Sequence, residues 1–65
     1  MKFKVGQRWR ARNTPGRTAE VFEVENDGWL AGVLVRDADG SRFRLEAKVP
    51  YMIFVEGWEL TEDIS

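Results

Sequence analysis

Sixty-five residues make one domain, close to the smallest size at which a hydrophobic core holds without staples. The chain has no cysteine and no histidine, which excludes disulfides and the usual structural zinc sites. A net charge of −1 argues against nucleic-acid binding through bulk charge alone, and no run approaches the ~18 apolar residues of a membrane helix.

Stability must then come from packing, and the large rings suit that need: Trp9, Trp29, Trp58, Tyr51, Phe3, Phe22, Phe43 and Phe54. Each can bury on the order of 150–250 Å². Met1 to Val5 is mildly basic, but Gln7, Arg8, Arg10 and Arg12 follow without an apolar stretch, so no signal peptide is expected. The lack of cysteine fits a cytoplasmic location.

In chain order, Val5, Trp9 and Ala11 alternate with Arg8, Arg10 and Arg12, the period-two pattern of a half-buried strand, with Lys4-Val5-Gly6 turning into it. Residues 13–17 read as a loop in which Pro15-Gly16 suits the central pair of a type II turn. Thr18 to Glu25 is the second predicted strand and Trp29 to Arg36 the third. Ser41 to Ala47 is the fourth, with Phe43, Leu45 and Ala47 inward. Pro50 breaks the pattern, Tyr51 to Val55 is a solid apolar run, and Trp58-Glu59-Leu60 closes the chain as a short strand. No helix is expected.

Two turn signals tie the strands into register. Asp-Gly between apolar runs favours a tight hairpin, because both central residues need positive φ. With Asp27 and Gly28 at the tip, Asn26 faces Trp29, Val24 faces Ala31 and Phe22 faces Val33. Closing the next hairpin around residues 37–41 sets Val35 opposite Phe43 and Val33 opposite Leu45. Strong turns every 8–12 residues indicate an all-β domain, and five short antiparallel strands in a chain this small suit an SH3-like barrel spanning residues 1–65.

Gly6 to Ala11, Ala19-x-Val21, Asp27-Gly28 and Val35-x-Asp37-x-Asp39-Gly40 resemble the Tudor and KOW branches of the SH3-like superfold. The start Lys4-Val5-Gly6-Gln7-Arg8-Trp9 and the end Trp58-Glu59-Leu60-Thr61-Glu62 resemble short phage and prophage proteins. These likenesses imply a small barrel of mobile-element origin. They imply no single activity, since such superfolds host many. The rings fall mostly on inward positions, so the aromatic cage of Tudor-type readers is not carried over.

Catalysis is poorly supplied without histidine or cysteine, and neither Ser41 nor Ser65 has a base beside it, so a non-enzymatic chain without cofactor or metal is expected. Asp37, Asp39 and Gly40 match the start of a calcium loop but lack its later ligands, and read as a turn.

Binding is better provided for. The register turns Val21, Leu30 and Leu34 outward as an apolar strip bordered by Arg42, Arg44, Glu23 and Glu25, the composition of a protein-interaction patch. Gly32 in its middle leaves room for close approach. Trp29, at the hairpin mouth, either anchors a partner or plugs one end of the barrel. A bulge at the adjacent apolar pair Val21-Phe22 would instead bury part of the strip. The partner is a larger host protein or a second copy, with monomer and homodimer both open.

The alternative surface is basic. Residues 1–17 carry six cations (Lys2, Lys4, Arg8, Arg10, Arg12, Arg17) and no acid, and Arg8, Arg10, Arg12 and Arg17 could contact nucleic-acid phosphates. Residues 56–65 carry four acids (Glu56, Glu59, Glu62, Asp63) and no base, so the two chain ends could equally neutralise one another.

Overall fold

The computed structural model describes residues 2–63, and Ser65 lies outside them. The chain folds into β1 (Arg8–Ala11), β2 (Thr18–Glu25), β3 (Leu30–Arg36), β4 (Arg42–Arg44), β5 (Val49–Pro50), α1 (Tyr51–Gly57) and β6 (Trp58–Glu62). The six strands form one antiparallel sheet in the order β4-β3-β2-β1-β6, with β5 paired to β3 beyond β4. The final strand pairs antiparallel with the first. Among the described residues β4 and β6 share no bridge, and they form the two edges of the path. No helix there is long and apolar enough to cross a membrane.

Both hairpin turns follow their sequence chemistry. Asp27 and Gly28 both take positive φ (56° and 93°), and Trp29 N–H donates to the Asn26 carbonyl at 3.1 Å. The paired ladder starts one step further out, at Glu25–Leu30. Gly28 is also pinned from outside: its carbonyl accepts the Phe3 N–H at 2.8 Å, and a Cβ there would lie 2.6 Å from the Phe3 carbonyl oxygen. In the second hairpin Gly40 N–H donates to the Asp37 carbonyl, and Val35 faces Phe43 as expected. Leu45 N–H reaches the Val33 carbonyl. Pro15-Gly16 is closed by Arg17 N–H donating to the Thr14 carbonyl at 3.1 Å.

The register between β2 and β3 departs from expectation at one point. Val24 faces Ala31 and Glu23 faces Gly32, but a bulge then advances β2 by one residue, so Val33 meets Val21 rather than Phe22. An extra residue in one strand shifts every later side chain to the other face. Val21 is therefore buried (1 % exposed) and Phe22 stands outside (37 % exposed), the reverse of the simple alternation.

A second departure is α1. The apolar run is helical rather than extended. Pro50 holds an extended φ of −72°, and Tyr51 N–H, an orphan donor of the first turn, is taken by the Trp29 carbonyl at 2.8 Å. Tyr51, Phe54, Val55 and Trp58, spaced as one helical face, turn toward the core, while Met52 and Ile53 are each 65 % exposed. Their rings complete an aromatic cluster: Phe3 lies edge-on to Trp9, Tyr51 and Phe54 at 5.8, 5.1 and 5.4 Å, and Phe54 stacks on Trp58 at 5.0 Å.

Smaller corrections concern the ends of strands. Val5 is exposed in the turn before β1, although Trp9 and Ala11 are buried as their alternation requires. The fourth strand is three residues long instead of seven, Ala47 is exposed, and Phe43 remains 45 % exposed at the sheet edge.

Candidate interaction surface

The outer face of β2, β3 and β4 is built by that bulge. Phe22 swings over Gly32, whose missing side chain leaves the space: a Cβ on Gly32 would lie 2.9 Å from Phe22 Cζ. The gap expected to admit a partner is thus filled by the chain's own ring. The Arg44 guanidinium lies 4.8 Å from the ring centroid, a cation–π contact that fixes both groups.

Leu34 lies beside this pair, opposite Arg44 on one side and Glu20 on the other, and is half-buried. Leu30 is likewise half-buried, between Glu25 and Pro50. The apolar centre is therefore Phe22, Leu30 and Leu34. Val21, expected in the strip, is in the core because the bulge turned it inward.

The rim is charged on both sides. Arg42 is exposed and stands directly opposite Arg36, and neither has an acid within 4.0 Å among the described residues. On the other flank Lys48 Nζ bridges Glu25 at 3.1 Å and Glu23 at 3.5 Å. The hydrogen bond to Glu25 and the charges of Glu23 and Glu25 raise the Lys48 pKa. Leu34 also borders a groove of about 330 Å³ that runs across β2 and β1 to β6, walled by Arg8, Thr18, Glu20, Arg36, Thr61 and Glu62.

Trp29 is not part of this centre. It is 44 % exposed at the turn, with its ring 5.9 Å from Tyr51 and the Lys2 ammonium 5.8 Å from the ring centroid, capping the end of the aromatic cluster.

Each arginine of the alternative basic surface has an acidic neighbour. Arg10 donates to Glu59 at 2.6 Å, Arg12 lies 3.9 Å from the same carboxylate, and Arg8 lies 3.9 Å from Glu20. Arg17 Nε donates to Asp37 Oδ1 at 2.5 Å and its NH2 to Oδ2 at 3.3 Å, which raises the Arg17 pKa and ties the 13–17 loop to the second hairpin. The two ends of the chain thus lie side by side as β1 and β6, with Glu59 pairing Arg10 and Arg12, while Arg8 and Arg17 pair with Glu20 and Asp37 instead. Among the described residues Lys2, Lys4, Arg36, Arg42 and Arg44 have no acid within 4.0 Å, and the cross-strand pairing brings the three arginines together on β3 and β4.

No protein-family model, curated protein or solved structure matches the chain.

Proposed function

We propose that this chain is a small, cytoplasmic, non-enzymatic SH3-like module that binds a larger protein through the outer face of β2, β3 and β4. The strand order, with β6 returning beside β1 after a short helix, supports the SH3-like reading. One observation carries the binding role: the β2 bulge spends a phenylalanine on the outside of a core that has few residues to spare. Phe22, Leu30 and Leu34 then form an apolar centre, Arg42 and Arg44 frame one side, and Glu23 and Glu25 the other, the composition that interaction patches share. Aromatic and arginine side chains supply most of the binding energy in such patches, so Phe22 and Arg44 are the anchors.

A photo-reactive residue at position 30 of the folded chain tests this reading when cells or lysate that hold the partner are irradiated. Adducts to one protein species, lost in the Leu34→Asp variant and kept in Arg10→Ala, are expected. The reading fails if adducts are absent, or if the chain binds a labelled single-stranded oligonucleotide with an affinity that falls steeply with salt and ignores Leu34→Asp.

A further inference from the structure

Cross-strand pairing arranges the sheet in three adjacent transverse rows. The first is Arg42–Arg36–Thr18–Arg10–Glu59, the second Phe43–Val35–Ala19–Trp9–Leu60, and the third Arg44–Leu34–Glu20–Arg8–Glu62. The middle row faces the core and the outer two face solvent. Each outer row begins with arginine on β4 and ends with glutamate on β6, while the middle row begins with an exposed phenylalanine and ends with a half-buried leucine. The two free edges of one chain are therefore complementary on both faces of the sheet.

From this we infer that copies of the chain join edge to edge, β4 of one subunit receiving β6 of the next in parallel. Arg42 meets Glu59 and Phe43 meets Leu60, and where a bulge in β6 leaves Thr61 as an extra residue opposite β1, Arg44 meets Thr61 and Glu62 of the neighbouring copy.

Three independent features of the backbone agree with that pairing. Five strands alternating in direction leave the first and last of the path, β4 and β6, pointing the same way. The bonds Asp37 N–H to Ser41 O and Leu45 N–H to Val33 O bracket β4 and, at period two, leave the N–H and C=O of Arg42 and Arg44 facing the open edge. On β6, Arg12 N–H donates to the Gly57 carbonyl at 2.9 Å, which by the same alternation leaves Trp58 and Leu60 facing outward. In a parallel ladder the outward groups of Arg42 bond to the two residues flanking the one opposite it. These are Trp58 and Leu60, flanking Glu59. Antiparallel pairing would set Arg42 against a residue of the wrong face.

The energetic motive lies in β4. Arg36 and Arg42 are like charges directly opposed, a destabilising arrangement in a sheet, and no acid of their own chain offsets it among the described residues. Glu59 of the next copy, which already takes Arg10 at 2.6 Å and lies 3.9 Å from Arg12, would share its charge with Arg42, and Leu60 would cover the Phe43 ring. The contact is heterologous, so repetition builds a ring or a filament according to the rotation per step. A three-residue edge buries well below the ~1,200 Å² of a stable complex, so association is weak and depends on concentration. Phe22, Leu30 and Leu34 stay free, but Arg42 and Arg44 are engaged by the next copy, so assembly and the binding role above share those two arginines.

Sedimentation of the full chain across a dilution series, from micromolar to millimolar, tests the inference. The mass should rise above 7.5 kDa with concentration and fall back with added salt. Arg42→Glu and Glu62→Arg, each shown folded by its amide spectrum, should stay monomeric alone. Mixed, they should stop at a dimer, because one keeps its β6 edge and the other its β4 edge. In the unmodified chain, amide exchange at Arg42, Arg44 and Leu60 should slow as concentration rises. A wild-type chain that stays monomeric, a single variant that still associates, a mixture that does not, or exchange independent of concentration would each overturn it.

Discussion

The Arg44 guanidinium stands 4.8 Å from the centroid of the Phe22 ring, a contact that exists because one extra residue in β2 turns Phe22 out of the core and Val21 into it. Residue size alone would predict that losing Phe22 is the more damaging change. Burial predicts the opposite. Val21→Ala should cost about 2–3 kcal/mol, from lost transfer energy and a cavity beside Val33, and Phe22→Ala about 1 kcal/mol or less. Urea unfolding of the two variants gives the order directly, and the reverse order would move the bulge elsewhere.

Gly32 and Phe22 compete for one space. In Gly32→Ala the new methyl would meet the far end of the Phe22 ring, which can rotate away because it is exposed. The cost to stability should stay below about 1 kcal/mol. The ring should nonetheless leave Arg44, and the upfield ring-current shifts of the Arg44 methylenes should collapse toward ordinary values in the proton spectrum. Shifts that survive the substitution would mean that the ring sits elsewhere.

Much of this arrangement is legible in the order of the residues alone. Turn chemistry is local, so Asp27-Gly28 and Asp39-Gly40 set two hairpins, and through the second they set Leu34 opposite Arg44. The bulge is harder to read because it depends on which of two adjacent apolar residues the core accepts. Its one sign in the chain is Val21 beside Phe22 on a strand that otherwise alternates. Helix α1 is hidden for a different reason: five apolar residues after a proline carry the same signal for a buried strand and for one amphipathic turn and a half. What decides it is tertiary, the Trp29 carbonyl and the rings of Phe3 and Trp9, which no local pattern displays.

The helical reading of residues 51–57 has its own test. Phe54 is buried against Phe3, Trp9 and Trp58, so Phe54→Ala should cost about 3–5 kcal/mol, enough to leave a chain this small largely unfolded. Ile53→Lys, one residue earlier, should be nearly silent. A strand would alternate the burden, making Met52→Glu as damaging as Phe54→Ala, and thermal unfolding of the three variants separates the cases.

Lys48 shows the alkaline side of the charge pattern. Its pKa is raised by the hydrogen bond to Glu25 and the charges of Glu23 and Glu25. A raised folded value contributes stability that is fully present below the unfolded lysine value and is lost as pH rises through the folded one. Proton titration of the Lys48 ε-methylene should therefore give a midpoint above that of an ordinary lysine, and Glu25→Gln should lower it. An ordinary midpoint in the unmodified chain would place the ammonium away from both carboxylates.

Asp39 makes the opposite case in the second hairpin. One of its carboxylate oxygens accepts the Ser41 hydroxyl at 2.6 Å and the Ser41 N–H at 2.9 Å, and these bonds, the hydroxyl first, hold its pKa below the ordinary aspartate value. A depressed folded value contributes stability that is present above the unfolded pKa and is lost as pH falls through the folded one. Carboxyl-carbon titration should place Asp39 below a free aspartate, and Ser41→Ala should raise it toward that value, with the Ser41 and Asp39 N–H bonds remaining. The same variant loosens the turn that presents β4, so amide exchange at Gly40 and Asp37 should quicken while Trp29 N–H, closing the other hairpin, keeps its rate. A Ser41→Ala chain whose Asp39 titrates as before would show that the hydroxyl does not cap this turn in solution.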